Sequence, residues 1–112
     1  MTKSRSKDQQ RKLRELAAIA YEREMTAASE SLLQQFQRWK NKEIDVFELN
    51  ASIHEFHNGI SRTLYNRYTG IHADLAVAIA LNADVLRREE VGEELFLEVG
   101  GIADVLSFRN QQ

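Results

Sequence analysis

Five polar side chains share one face of a predicted helix in this 112-residue sequence. They recur at spacings of three or four residues, and the set is Asn50, His54, His57, Ser61 and Tyr65. Two histidines separated by two residues can turn towards one metal ion, and an imidazole can also move a proton near neutral pH. Alternatively, the set forms a buried hydrogen-bond network that fixes the register of neighbouring helices. We expect the buried network, with His54 and His57 as weak candidate metal ligands and ligand binding as the remaining alternative.

The composition removes several other kinds of catalytic or metal site. The chain has no cysteine, so it has neither a thiolate ligand nor a cysteine nucleophile. The string HEFH is one residue too short for the zinc-protease motif, and no Glu-x-x-His pair is available for a di-iron bundle site. We therefore expect no bound cofactor and assign no catalytic residue with certainty.

Arg67 and His72 form a second candidate site, because four residues separate them. This spacing resembles the R-x4-H signature of HEPN-family ribonucleases, which are helical proteins of similar size and usually dimeric. The resemblance implies that both side chains would face their dimer mates across a cleft, where His72 could move a proton while Arg67 stabilises phosphate charge. The residues alone also allow a structural interpretation, in which Arg67 forms a salt bridge at a helix C-terminus and His72 caps the next helix.

Basic residues at the N-terminus form the third candidate. Residues 1–42 carry ten Lys and Arg against five Asp and Glu, whereas residues 43–112 carry five against twelve. The basic side chains of the first fourteen residues are Lys3, Arg5, Lys7, Arg11, Lys12 and Arg14. Such a segment could neutralise phosphates, with salt-dependent affinity for nucleic acid, or contact the acidic part of another subunit. Nucleic-acid binding is not favoured, because the first aromatic residue for base stacking is Tyr21.

These candidates are positioned by predicted helices. The chain has no proline and no sustained alternation of apolar and polar residues, and its apolar residues recur every three to four positions. The pattern predicts helices over about 8–41, 45–69, 73–88 and 93–109. The predicted fold is all-α, an up-down bundle of about four helices, with residues 1–7 as a flexible basic tail and 8–112 as one domain.

The second predicted helix has the clearest signals. Asp45 and Glu48 have the spacing of a capping box. The apolar stripe that follows is Leu49, Ile53, Phe56, Ile60, Leu64 and Tyr68. The third helix is apolar almost all round, which predicts burial on most sides. In the fourth, Gly100-Gly101 marks a kink or the close approach of another backbone.

The length of the first helix indicates a partner. A helix of about 34 residues would be about 50 Å long and would overhang helices half that length. A second copy would cover the overhang, so we expect a homodimer with a further protein partner. With no secretory signal and no apolar run near the about 20 residues of a membrane span, we expect a cytoplasmic protein with no membrane contact.

The predicted function is therefore a protein–protein interaction and self-association module without catalytic activity. One alternative is a HEPN-like small ribonuclease of the toxin type, using Arg67 and His72. The other is a nucleic-acid-binding protein that uses the basic N-terminal segment.

Overall fold

The computed structural model describes the backbone of residues 5–110 and the side chains of residues 5–102. Within this range the chain is helical and has no strand, which confirms the predicted all-α class. The elements are α1 Lys7–Lys40, α2 Val46–Phe56, a π-helical segment His57–Ser61, α3 Arg62–Thr69, α4 Ala73–Asn82, α5 Arg88–Val91 and α6 Glu93–Asn110. None of the described helices combines the length and apolarity needed to cross a lipid bilayer.

Helix α1 runs for 34 residues between two well-defined caps. At its start the Ser6 hydroxyl accepts a hydrogen bond from the Gln9 amide, and the Gln9 side chain accepts one from the Ser6 amide. At its end Lys42 adopts the left-handed conformation with φ 61°. The Glu43 amide then donates to the Arg38 carbonyl at 2.8 Å, which closes a Schellman motif and stops the helix.

Helix α2 begins at the predicted capping box of Asp45 and Glu48. Beyond Phe56 the apolar stripe recurs every four residues, and in an α-helix each such step drifts by about 40°. The π-helical segment winds more slowly, with i to i+5 hydrogen bonding, and offsets this drift. As a result Leu64 stays on the α1 side and is only 1% exposed.

Helix α4 is shorter than the sequence predicted. It ends at Asn82 because Asp84 takes a left-handed φ of 60°, a conformation that aspartate tolerates better than most residues. The Val85 and Leu86 amides both donate to the Ala80 carbonyl, at 2.8 and 3.2 Å. The prediction of a helix reaching residue 88 is therefore wrong, whereas the predicted break at Gly92, with φ 88°, is confirmed.

The main hydrophobic core lies between the first half of α1 and the helices α4 to α6. Its buried members are Leu13, Leu16, Ala17, Ala20, Ala76, Val77, Ala78, Ala80, Leu86, Val91, Leu95 and Val99. Many of them are alanine, which lets the helices approach closely. The predicted burial of the third helix is confirmed in α4. We call this part of the molecule the body.

The other half of α1 extends away from the body and packs against α2. We call residues 22–61 the distal hairpin. The molecule measures 60 × 33 × 24 Å with a radius of gyration of 17.5 Å, against about 13 Å for a compact domain of this length. Its accessible surface is 8230 Å², against about 6300 Å² for a compact monomer of the same mass. The single chain therefore leaves unusually much surface uncovered.

Candidate functional site

The predicted polar ridge lies on the surface of the chain. Its exposed members are Asn50, His54, His57 and Tyr65, and Ser61 is half-buried. These side chains are therefore not buried as a network within the single chain. The reason is that α2 packs on α1 through Leu49 and Phe56, and the ridge points away from this contact.

The two histidines do not assemble a metal site in the described part of the chain. No group of three or more histidine or carboxylate side chains is placed to hold an ion among those residues. A structural zinc site needs about four protein ligands, and a catalytic one about three. His54 and His57 alone therefore give no support for metal binding.

Arg67 is held by an ion pair with α1. Its Nη1 donates to both carboxylate oxygens of Glu24, at 3.1 and 3.0 Å, and the Tyr68 hydroxyl donates to the same carboxylate. The Tyr68 ring also stacks on Tyr21, with 5.3 Å between centroids. Burial, together with the hydrogen bond to Glu24 and its charge, raises the pKa of Tyr68 above its ordinary value. This cluster attaches α3 to α1 and engages Nη1 of the Arg67 guanidinium.

His72 stands at the N-cap of α4 without capping it through its side chain. Its backbone is extended, with ψ 146°, and the imidazole makes no capping hydrogen bond and is exposed. The expected side-chain cap is therefore absent. Close to His72 in the sequence, Arg67 directs its Nη1 at Glu24 of α1.

The basic N-terminal segment is partly neutralised within the chain. Arg5 donates to Asp74 at 3.1 Å and to Glu98 at 3.0 Å, and these hydrogen bonds, Glu98 first, raise the pKa of Arg5 above its ordinary value. Arg11 pairs with Asp8 at 2.9 Å. The remaining described members, Lys7, Lys12 and Arg14, are exposed, and Lys3 lies outside the described residues.

Exposed apolar side chains are concentrated in the distal hairpin. Those between residues 22 and 61 are Leu33, Phe36, Trp39, Val46, Phe47, Ile53 and Ile60, and Tyr65 follows in α3. Leu33 is 54% exposed and Phe47 79% exposed. Elsewhere in the described chain, only Ile19 and Leu97 are large apolar residues with comparable exposure. The hairpin itself contributes Leu49 as its single fully buried apolar residue among those described.

The two sides of the distal hairpin differ in character. One side has a groove with small and polar walls: Ala28, Ser31, Leu32, Gln35, Ser52, Glu55, Phe56, Gly59 and Ile60. Leu33, Val46 and Ile53 are turned from the centre of this groove by about 100° or more and Phe36 by about 90°, across the helix–helix contact. We call this second side the apolar face: Leu33, Phe36, Val46 and Ile53, with His57 at its edge.

An open groove on α1 continues the apolar face towards the body. We call it the α1 groove, and its lining residues are Ala18, Tyr21, Glu22, Met25, Thr26, Ser29, Glu30 and Leu33. All of them belong to α1, so the groove is a surface that no other described element covers. Periodicity in the sequence could not show which apolar residues of α1 would lack a partner.

Comparisons of the chain with protein-family models, with curated proteins and with solved structures find no match. The function therefore has to be argued from the side chains themselves.

Proposed function

We propose that this protein is a non-catalytic helical interaction module that self-associates through the distal hairpin. The observation that carries the proposal is the contrast between its two halves. The body has a core of aliphatic side chains, whereas the distal hairpin leaves seven large apolar side chains exposed and fully buries Leu49 alone among its described residues. Large apolar side chains exposed in this number on one part of a surface are typical of an interface.

The elongated chain exposes more surface than a compact monomer, which supports self-association. The chain exposes 8230 Å², about 1900 Å² more than a compact monomer of its mass. A standard interface removes about 800 Å² from each partner. Covering the apolar face with the same face of a second copy would bring two helical hairpins together as a bundle, and the long α1 would then have neighbours along its length.

Neither alternative function has a specific observation in its favour. In the ribonuclease alternative Arg67 would stabilise phosphate charge, but its Nη1 already donates to both carboxylate oxygens of Glu24. Nucleic-acid binding would rely on a segment in which Arg5 and Arg11 already pair with carboxylates of the same chain.

The proposal is tested by measuring mass with size-exclusion chromatography and light scattering. We expect the wild-type chain at micromolar concentration to have twice its 12.9 kDa mass. Phe36→Asp places a charge in the apolar face and should yield monomers that remain helical by circular dichroism. Leu97→Asp is the matched control, since Leu97 is 69% exposed on α6 and outside the hairpin, and it should remain dimeric. A wild-type chain that is monomeric at these concentrations would refute self-association.

A further inference from the structure

Six positions on one side of α1 form a pattern that is symmetric about Ser31. At about 100° per residue, positions 22, 26, 29, 33, 36 and 40 lie within about 80° of one another. The residues equidistant from Ser31 are Glu22 and Lys40, Thr26 and Phe36, and Ser29 and Leu33. Each pair is complementary: the first in charge, and the other two in size.

A second copy of α1, running antiparallel, brings these pairs together. If a two-fold axis crosses α1 at the level of Ser31, each residue faces the one equidistant from that level on the partner. Large side chains then meet small ones, as they must in a close-packed interface. We propose that α1 of a second copy lies antiparallel along the α1 groove, so that its Leu33 and Phe36 pack beside Ser29 and Thr26. This inference rests on the proposed self-association.

The shape of the α1 groove fits this occupant. Thr26 and Ser29 are small and line it, whereas Tyr21 and Met25 are the larger residues beside them. Leu33 and Phe36 are 54% and 37% exposed, so both are available to enter the groove of a partner. The α1 groove is thus uncovered at the place where Leu33 and Phe36 of the second copy would pack.

Charge also favours the antiparallel arrangement. In the proposed dimer, residues 22–40 of the two α1 helices lie side by side, and we call them the overlapping segment. Glu22 and Lys40 are both exposed and lie at its two ends. The two-fold axis would place each Glu22 next to the Lys40 of the other copy, twice per dimer. Pairs at the edge of an interface contribute modestly to affinity, but they select register and orientation.

In the proposed dimer the two α2 helices also pack against each other. A two-fold axis across the hairpins stacks α1 on the partner's α1 and α2 on the partner's α2. Every neighbouring pair of helices is then antiparallel, which opposes their dipoles favourably. Val46 and Ile53 of the apolar face would lie between the two α2 helices, with His57 at the edge.

A charge-exchange experiment tests the pairing of Glu22 with Lys40. Glu22→Lys alone and Lys40→Glu alone each create two like-charge contacts per dimer, so we expect each to weaken self-association about tenfold in sedimentation equilibrium. The double variant E22K/K40E restores both contacts and should recover wild-type affinity. An equimolar mixture of the two single variants, one of them labelled with ¹⁵N, should form mainly heterodimers in native mass spectrometry.

Glu15→Lys provides the control, because Glu15 is exposed on α1 outside the overlapping segment and should not alter affinity. Single variants that dimerise as tightly as wild type, or a mixture without preference for heterodimers, would overturn this pairing while leaving self-association intact. A wild-type chain without dimers would remove the proposed function and this inference together.

Distances between two spin labels test the antiparallel orientation independently. The chain has no cysteine, so single substitutions such as Gln37→Cys and Glu15→Cys give uniquely labelled protein. From 1.5 Å of rise per residue, we expect about 20 Å between labels at position 37 and about 50 Å between labels at position 15. A head-to-head pairing would place both pairs within about 20 Å and would overturn the proposal.

Discussion

Four glutamates among the described residues accept hydrogen bonds from side chains that are distant in sequence. Glu24 binds Arg67 and Tyr68 of α3, Glu90 binds Arg23 of α1, Glu94 binds Gln9 of α1, and Glu98 binds Arg5 at the N-terminus. In the sequence, Arg67 and Arg5 were candidates for contact with phosphate. Sequence spacing could not reveal their carboxylate partners, which lie 43 and 93 positions away. These contacts show that Arg67 and Arg5 connect elements of the fold that are distant in sequence.

The Glu24 cluster should contribute measurably to stability. Glu24→Gln removes the charge that strengthens the hydrogen bonds from Arg67 and Tyr68 in a part-buried setting, so we expect a loss of about 1–3 kcal/mol in the free energy of unfolding. Urea denaturation at fixed protein concentration measures it. Glu15→Gln, on an exposed turn of the same helix, should change stability by less than about 0.5 kcal/mol. Equal effects of the two variants would argue against the cluster.

The Arg23–Glu90 pair should give the fold a distinct acid sensitivity. The hydrogen bond from Arg23, followed by that from the Arg87 amide, lowers the pKa of Glu90 from 4.5 to about 2. A carboxylate with a lowered folded-state pKa stabilises the fold fully above its unfolded pKa. Its contribution is then lost as the pH falls from 4.5 towards 2. Thermal melting across this range should therefore show a smaller decline in Glu90→Gln than in wild type, and identical declines would contradict the assignment.

At the scale of elements, the sequence predicted a helix boundary correctly where a few neighbouring residues determine the backbone conformation. The capping box at Asp45 and the break at Gly92 follow from chemistry within a few residues. The π-helical segment and the early end of α4 depend instead on contacts made by the whole fold. Leu64 has to reach α1, and Asp84 accepts a left-handed conformation that its sequence does not demand. Periodicity alone could not predict either outcome.

Glycine substitutions test this account of the elements. A Cβ at Gly59 would meet nothing within 4 Å, so Gly59→Ala should stabilise the chain by about 0.5 kcal/mol through the unfolded state. Gly92 has φ 88° and a Cβ there would lie 3.0 Å from Lys12 Nζ, so Gly92→Ala should destabilise it. Differential scanning calorimetry gives both values. Destabilisation by Gly59→Ala would show that another chain packs against the π-helical segment.

At the scale of the whole molecule, the length predicted for α1 already indicated that the shorter helices of the same chain would leave part of its surface uncovered. The extended dimensions of 60 × 33 × 24 Å agree with that expectation. Sequence could not identify the uncovered surface, because Leu33 and Phe36 have the same spacing as residues of a buried stripe. Their exposure follows from the side on which α2 packs, which is a property of the assembled hairpin.

The single tryptophan of the chain offers the most direct measurement of the central claim. Trp39 is 40% exposed and lies at the edge of the proposed interface, between Phe36 and Lys40 of α1, so a second copy packed there would shield part of its indole. On dilution from high micromolar to low nanomolar concentration, we predict that Trp39 emission shifts to longer wavelength and acrylamide quenching increases, in parallel with a fall from twice the chain mass to 12.9 kDa. Emission and quenching that stay constant, with the mass of a single chain throughout, would contradict the account.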